Sequence, residues 1–276
     1  MNTSEYLSFL KKLLPRMESL ENSLSIIIQG PLNERINESI NHYIKIVNRN
    51  QHPQEHSMMG NIVISYWEGD NEAIIENIKN NKLITLVKNK TKDLPEFINK
   101  KGSRGASPWI LQNYSTLQGL KKATGNLCIK VRSDEIYPGL NIFHKKMTES
   151  FRADEQLKFH TSDIFFRPDR EEKFHISDHI IGSAKSAMIS AFEESTKECC
   201  NKRIKSYTFP EQLICKSILR SRGEKIKDYK SKETMKRHFK IVPISSMQNS
   251  IWTCSYRKYD KLTTKETGWL QDIENI

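Results

Sequence analysis

The stretch SLSIIIQGPL, residues 23–32, decides the fold. Leu24 and Ile26–Ile28 run without the alternating polar positions of a half-solvated strand, so the segment is expected to be a strand buried on both faces. Gly30-Pro31 then closes it with a tight loop. Downstream, residues 34–50 place Ile36, Ile40, Tyr43, Ile44 and Val47 at helical spacing. NIVISYWEGD, residues 61–70, is a second buried strand, residues 71–80 suit a short helix, and KLITLVKN, residues 82–89, is a third strand. Strands apolar on both faces and alternating with helices imply an α/β fold, with a mostly parallel sheet flanked by helices.

The pattern continues in both directions. Upstream, Tyr6, Leu7, Phe9, Leu10, Leu13 and Leu14 predict a helix over residues 4–20 that packs on the domain, ended or kinked by Pro15. Downstream, a polar loop containing Pro95, Gly102, Gly105 and Pro108 leads to a helix over 109–125 that stops at Gly125. That helix delivers the chain into LCIKVRSDE, residues 127–135, an apolar strand that ends in charge. Two later segments, KFHTSDIFFR (158–167) and KFHISDHIIG (173–182), share F-H-x-S-D and read as a hairpin or two adjacent strands. Residues 207–223 form a helix with Pro210 in its first turn and Gly223 at its end. Beyond it the chain reads as basic and irregular, with one more apolar run at 238–245. We therefore expect an N-terminal helix over 1–22, an α/β core over 23–200, and a basic region over 201–276 that completes the same domain.

Composition narrows the function classes. Hydrophobic residues make up 37% and charged residues 28% of the 276, as in ordinary globular proteins. No apolar run approaches the ~20 residues that cross a bilayer. The first twenty residues lack the features of a signal peptide, which predicts a cytoplasmic protein. Five cysteines without C-x-x-C spacing argue against a disulfide framework and against a zinc site. The net charge is +11, and residues 201–276 hold 17 Lys/Arg against 8 Asp/Glu. Such a surplus fits an anionic partner: nucleic acid, an acidic membrane surface, or a phosphate-bearing substrate.

Ligands of parallel α/β sheets bind beyond the carboxyl ends of the strands. Three of those ends are chemically loaded here: Gln29-Gly30-Pro31, Glu68-Gly69-Asp70 and Arg132-Ser133-Asp134-Glu135. Glycine lets backbone approach a ligand, an acid at one end can bond a ribose or base, and an acid at another can hold Mg²⁺ or Mn²⁺ against a diphosphate. Neither G-x-G-x-x-G nor G-x-x-x-x-G-K-[ST] is present, which leaves a nucleotide-diphosphate-sugar site as the α/β option.

The ordered set S-I-I-I-Q-G-P, N-I-V-I-S-Y-W-E-G-D, Q-N-Y-S-T-L-Q-G-L, I-K-V-R-S-D, S-D-x-F-F and P-E-Q, spanning about residues 24–215, resembles the WavE family of bacterial lipopolysaccharide-synthesis proteins. The resemblance implies a glycosyltransferase of the GT-A type, with a Rossmann-like half that binds a nucleotide-sugar and a half that binds a glycan or glycolipid acceptor. Where GT-A enzymes carry Asp-x-Asp, this chain has Ser133-Asp134-Glu135. Carried over, Asp134 would ligate the divalent cation or donor phosphate, assisted by Glu135 or Ser133, and Arg132 would pair with the donor or orient Asp134. Gln29, Gly30 and Pro31 would border the nucleotide, and Glu68 and Asp70 the base or ribose. Gln112, Asn113, Ser115 and Thr116 would line the entering helix. Glu211 is the candidate catalytic base, followed by Asp178 and then Asp163. His160, His175 and His179 cluster near the late strands, as metal ligands, donors to the leaving diphosphate, or ordinary strand residues. The basic stretch from Lys202 to Lys240 would meet the departing diphosphate, a phosphorylated acceptor, or the inner face of an anionic membrane. Two alternatives stand beside the transferase: a nucleic-acid-binding protein that uses the basic region, with Tyr207, Tyr229, Trp252 and Tyr256 available for stacking, and a binding module without catalysis.

Overall fold

In the computed structural model, residues 23–49, 60–94, 107–152, 158–164, 166–167, 172–200, 209–247 and 252–253 are described. The expected helix over 4–20 and most of the polar loop before Pro108 lie outside them. Strand β1 (Leu24–Gln29) is buried at every position, as its unbroken apolar run requires. It lies between β2 (Ile62–Trp67) and β4 (Leu127–Arg132), parallel to both, with Ile26 opposite Ile62 on one side and Ile129 on the other. β3 (Ile84–Asn89) extends the parallel set beyond β2. On the far side of β4 come β7 (Ile180–Ala184), β6 (Phe159–Ser162) and β8 (Phe239–Val242), giving a seven-stranded sheet in the order β3-β2-β1-β4-β7-β6-β8. β7 alone runs against its neighbours; β6 and β8 pair in parallel. The mostly parallel sheet flanked by helices is the architecture that the buried strands predicted.

Helices cover both faces, which is why the strands carry apolar side chains in both directions. α1 (Ile36–Arg49) and α3 (Leu140–Arg152) bury Ile36, Ile40, Tyr43, Phe143 and Met147 against Ile26, Ile28 and Val131. On the opposite face α2 (Pro108–Lys122), α4 (Lys185–Cys199) and α5 (Pro210–Ser221) pack Leu117, Leu120, Met188, Phe192, Ile214 and Ile218 around Ile27, Cys128 and Ile181. Gly119 lets α2 sit directly on the sheet: a Cβ there would stand 2.7 Å from Ile27 Cγ2.

Three segments differ from expectation. The helix suited to 71–80 is a 3-10 helix, Glu72–Ile78. The two F-H-x-S-D copies are not equivalent: the first forms β6, whereas the second lies in a loop and its strand begins only at Ile180. Phe174 explains the break, because its φ of 56° is left-handed and incompatible with an extended strand. The region after Gly223 is also less irregular than its charge suggested. It contains α6 (Ser231–His238), anchored by buried Thr234 and Met235, and then β8, whose Phe239 pairs with Phe159. A separate two-stranded sheet joins β5 (Glu135–Ile136) to β9 (Trp252–Thr253).

Candidate active site

The reversed direction of β7 creates the site. Because β7 is antiparallel to β4, with Val131 opposite Ile180, the residues entering β7 stand beside those leaving β4. Asp178 and His179 are thereby brought to Arg132 at the carboxyl edge of the parallel strands. α2 and α5 reach the same edge with their N-terminal turns, each opened by proline at its first position, where a missing N–H costs no helical hydrogen bond. Together they enclose a cleft of about 540 Å³ walled by Pro108, Trp109 and Gln112 of α2, Arg132 of β4, Arg167, His175, Asp178 and His179 before β7, and Phe209, Pro210 and Glu211 at the start of α5.

Two carboxylates face this cleft in contrasting environments. Asp178 is 3% exposed. Its Oδ2 accepts from the Gln112 amide and its backbone carbonyl from the ammonium of Lys130, while Oδ1 has no hydrogen-bond donor and stands 3.7 Å from His179 Nε2. Burial alone would raise the Asp178 pKa, but Lys130, His179 and Arg132 outweigh it and hold the carboxyl well below the usual range. Glu211 is pushed the other way, by burial first and by the charge of Asp178 second, and among the described residues its Oε2 has no hydrogen-bond partner. Beside them His175 has an unpartnered Nδ1, and burial with the nearby Arg167 lowers its pKa to about 4, so the ring is neutral near pH 7. Buried polar atoms are normally satisfied. Three atoms around one cleft, Asp178 Oδ1, Glu211 Oε2 and His175 Nδ1, have no hydrogen-bond partner among the described residues.

Beneath this wall runs a closed ionic network. Arg132 forks onto Asp134, with Nε donating to Oδ1 at 2.9 Å and Nη2 to Oδ2 at 2.8 Å. Glu135, inside the fold, accepts from Tyr137 Oη at 2.5 Å and pairs through its other oxygen with His179 Nδ1 at 2.6 Å. All four oxygens of the expected metal pair are thus engaged by protein groups. Among the described residues, no group of three His, Cys, Asp or Glu could hold a metal ion. The expected ligands Asp134 and Glu135 therefore do not fit a cation as they are arranged.

The other expected positions divide clearly. Gln29, Gly30, Pro31 and Ser133 lock the β1 and β4 ends together: Ser133 N donates to Gln29 O at 2.8 Å, and Ser133 Oγ to Pro31 O at 2.8 Å. A Cβ on Gly30 would meet Ser133 Oγ at 2.3 Å, and its φ of +134° suits glycine alone. Asp70 ties the β2 end to that loop, accepting from Trp67 N at 3.0 Å and Leu32 N at 3.3 Å. Glu68 is exposed, 3.8 Å from Lys90 Nζ. Asn113 lies outside the cleft lining, buried between α2 and α4, where it receives the Ser195 hydroxyl at 2.7 Å. Ser115 and Thr116 return their hydroxyls to Leu111 and Gln112 carbonyls of their own helix. Asp163 accepts from Ile244 N at 2.7 Å, and His160 packs edge-on to Phe143; neither lines the cleft. Glu211, Asp178, Arg132, Gln112, His175 and His179 do converge on it. The sequence reading missed Lys130, Trp109, Arg167 and Phe209.

No protein-family model and no curated protein sequence matches the chain. Similar solved structures include galactosyltransferase LgtC in complex with donor and acceptor sugar analogs, at 11% identity and a TM-score of 0.46, covering 90% of this chain and 99% of that one. Glucosyl-3-phosphoglycerate synthase from Mycobacterium tuberculosis, in complex with Mn²⁺, UDP and phosphoglyceric acid, has 10% identity and a TM-score of 0.40, with 76% and 82% covered. HddC from Yersinia pseudotuberculosis has 10% identity and a TM-score of 0.34, with 61% and 79% covered. Likenesses this distant transfer no residue roles. Among the described residues, no helix is long and apolar enough to cross a membrane.

Proposed function

We propose that the protein is a glycosyltransferase that moves a sugar from a nucleotide-sugar donor to a glycan or glycolipid acceptor. The observation that supports this most directly is the pair Asp178 and Glu211, a buried and a half-buried carboxylate on one cleft whose surroundings drive their pKa values apart. Such a split separates a carboxylate held ionised from one that keeps its proton to higher pH than an ordinary carboxyl. Arginines and aromatic rings on the same walls suit the other parts of the donor, its phosphates and its planar base or sugar ring.

In an inverting transfer the acceptor oxygen attacks the anomeric carbon as the bond from that carbon to the phosphate oxygen breaks. The electron pair of the broken bond leaves with the nucleotide, and the acceptor proton passes to Glu211. Asp178, fixed by Gln112 and Lys130, stays anionic and stabilises positive charge developing on the sugar ring. The resemblance to WavE proteins points to lipopolysaccharide, capsule or a related surface glycan as the acceptor class, assembled at the cytoplasmic face of the membrane.

A thermal-shift screen of UDP-, GDP- and CMP-linked sugars names the donor, and transfer to a glycan panel then gives the rate. Glu211→Gln should lower kcat by ~10²–10⁴-fold, the usual contribution of a general base, while leaving donor affinity nearly unchanged. A variant that transfers at the wild-type rate would remove Glu211 from this role. Asp178→Asn should also depress kcat.

A further inference from the structure

If the cleft takes a nucleotide-sugar, as proposed above, something must neutralise its phosphates, and the expected cation ligands are already occupied. Asp134 is forked by Arg132, and Glu135 is shared between Tyr137 and His179. To ligate a cation, Asp134 would have to give up two charge-assisted hydrogen bonds in a poorly hydrated place.

Arg167 offers another source of positive charge. Its guanidinium lies over the Phe209 ring, 4.1 Å from the centroid. Among the described residues no carboxylate or carbonyl oxygen pairs with it, although it borders a cleft that contains two carboxylates. The cation–π contact holds the guanidinium beside the cleft, and a guanidinium offers a planar fork of donors that matches phosphate oxygens. The N-terminal turns of α2 and α5 border the same space, and their dipoles also favour an anion there. The opposing charge of Asp178 is offset by the wholly buried Lys130, whose ammonium donates to the Asp178 backbone carbonyl and whose charge lowers the Asp178 pKa.

We infer that Arg167, placed over the Phe209 ring, is the phosphate-binding residue of the cleft, and that the protein binds the nucleotide part of its donor without a divalent cation. Arg132 is then a positioning residue that holds Asp134 and Glu135 in the network beneath the wall.

Calorimetric titration of the full chain with UDP, GDP and CMP, in EDTA and again in Mn²⁺, tests this; uridine, guanosine and cytidine serve as probes without phosphate. The expected result is binding of at least one nucleotide in EDTA, with an affinity unchanged by Mn²⁺. Arg167→Ala should weaken that binding roughly 10–100-fold, the value of a charge-assisted hydrogen bond or two, and leave nucleoside binding as it was. Arg167→Lys should recover only part, because lysine keeps the charge but not the planar fork. Circular dichroism of both variants checks that they remain folded. Binding that appears only with Mn²⁺ overturns the cation-free inference, and unchanged affinity in a folded Arg167→Ala overturns the role of Arg167; either leaves the transferase standing. Failure of every nucleotide to bind under both conditions overturns the nucleotide-sugar function itself, and this inference with it.

Discussion

The half-buried Glu211 makes the stability of the protein depend on pH. A carboxyl whose pKa is higher in the folded protein than in the unfolded chain favours folding most below the ordinary carboxylate range. That contribution is lost as pH rises through the raised folded value, because the charged form is the one burial penalises. Glu211→Gln cannot ionise, so it should escape the loss. The melting temperature of the variant, minus that of the wild type, should be more positive at pH 8 than at pH 4, and a flat difference across that range would show that Glu211 is not strained by burial. The rate of the wild type should rise with pH through a limb above the usual carboxylate range, and Glu211→Gln should lack that limb. Glu211 is legible as a candidate because the resemblance places an acidic residue at the start of a late helix, and Asp178, in H-I-S-D-H, stands as the second choice. Lys130 and Arg167 are not. On the sequence Lys130 is an ordinary polar residue in a strand, and only the placement of the Asp178 backbone beneath the cleft gives it a task. Arg167 acquires one only through Phe209, forty-two positions away, which no local pattern connects to it.

At the scale of elements, the crossing of the β1 and β4 ends and the pairing of β8 carry the structural risk. Gly30→Ala adds a Cβ 2.3 Å from Ser133 Oγ at a φ of +134°. We expect a loss of about 1–3 kcal/mol in urea unfolding, the usual cost of holding a non-glycine residue in such a region. Ser133→Ala in the same chain should recover only part, because it relieves the close contact and not the backbone; full recovery would assign the whole cost to the contact. Phe239, buried in β8 against Phe159, tests whether the basic C-terminal region belongs to the core. Phe239→Ala should cost about 3–5 kcal/mol if the sheet depends on that strand, whereas a change within ~0.5 kcal/mol, typical of surface positions, would make β8 an appendage. β1, β2 and β4 could be read from sequence because burial on both faces leaves a nearly continuous apolar run, and β3, at the sheet edge and only partly buried, from the shorter run ITLV. α3 and α4 escaped notice because their apolar positions are diluted: Leu140, Phe143 and Met147 are spaced by His144, Lys145 and Lys146, and α4 buries mainly Met188, Ala191 and Phe192 among polar neighbours. The second F-H-x-S-D failed as a strand for a backbone reason that composition does not encode, the left-handed Phe174.

Over the whole molecule the charge is distributed unevenly, and part of it falls on described surface. Lys225, Lys227, Lys230, Lys232, Lys236 and Arg237 are exposed around α6 and the turn before it, against Glu224, Asp228 and Glu233. Tyr229, 78% exposed, projects from the same turn with Lys227 Nζ 5.9 Å from its ring centroid. An amphipathic ring among lysines suits the headgroup layer of an anionic bilayer, where each Lys near the surface adds to the attraction and the ring enters the interface. This agrees with an acceptor that is a glycolipid, since the enzyme would then work where its product is anchored. Flotation with phosphatidylglycerol vesicles should recover the protein at low salt, and pure phosphatidylcholine should not. The combined variant Lys227→Glu, Lys230→Glu and Lys232→Glu should reduce recovery by roughly tenfold or more, as should a salt concentration that shortens the Debye length to ~3 Å. Tyr229→Ser should weaken binding without altering its salt dependence, because it removes the inserted ring and leaves the charge. Equal recovery from both lipids, or tight salt-sensitive binding to RNA with none to vesicles, would assign this face to another partner and separate the acceptor question from the membrane.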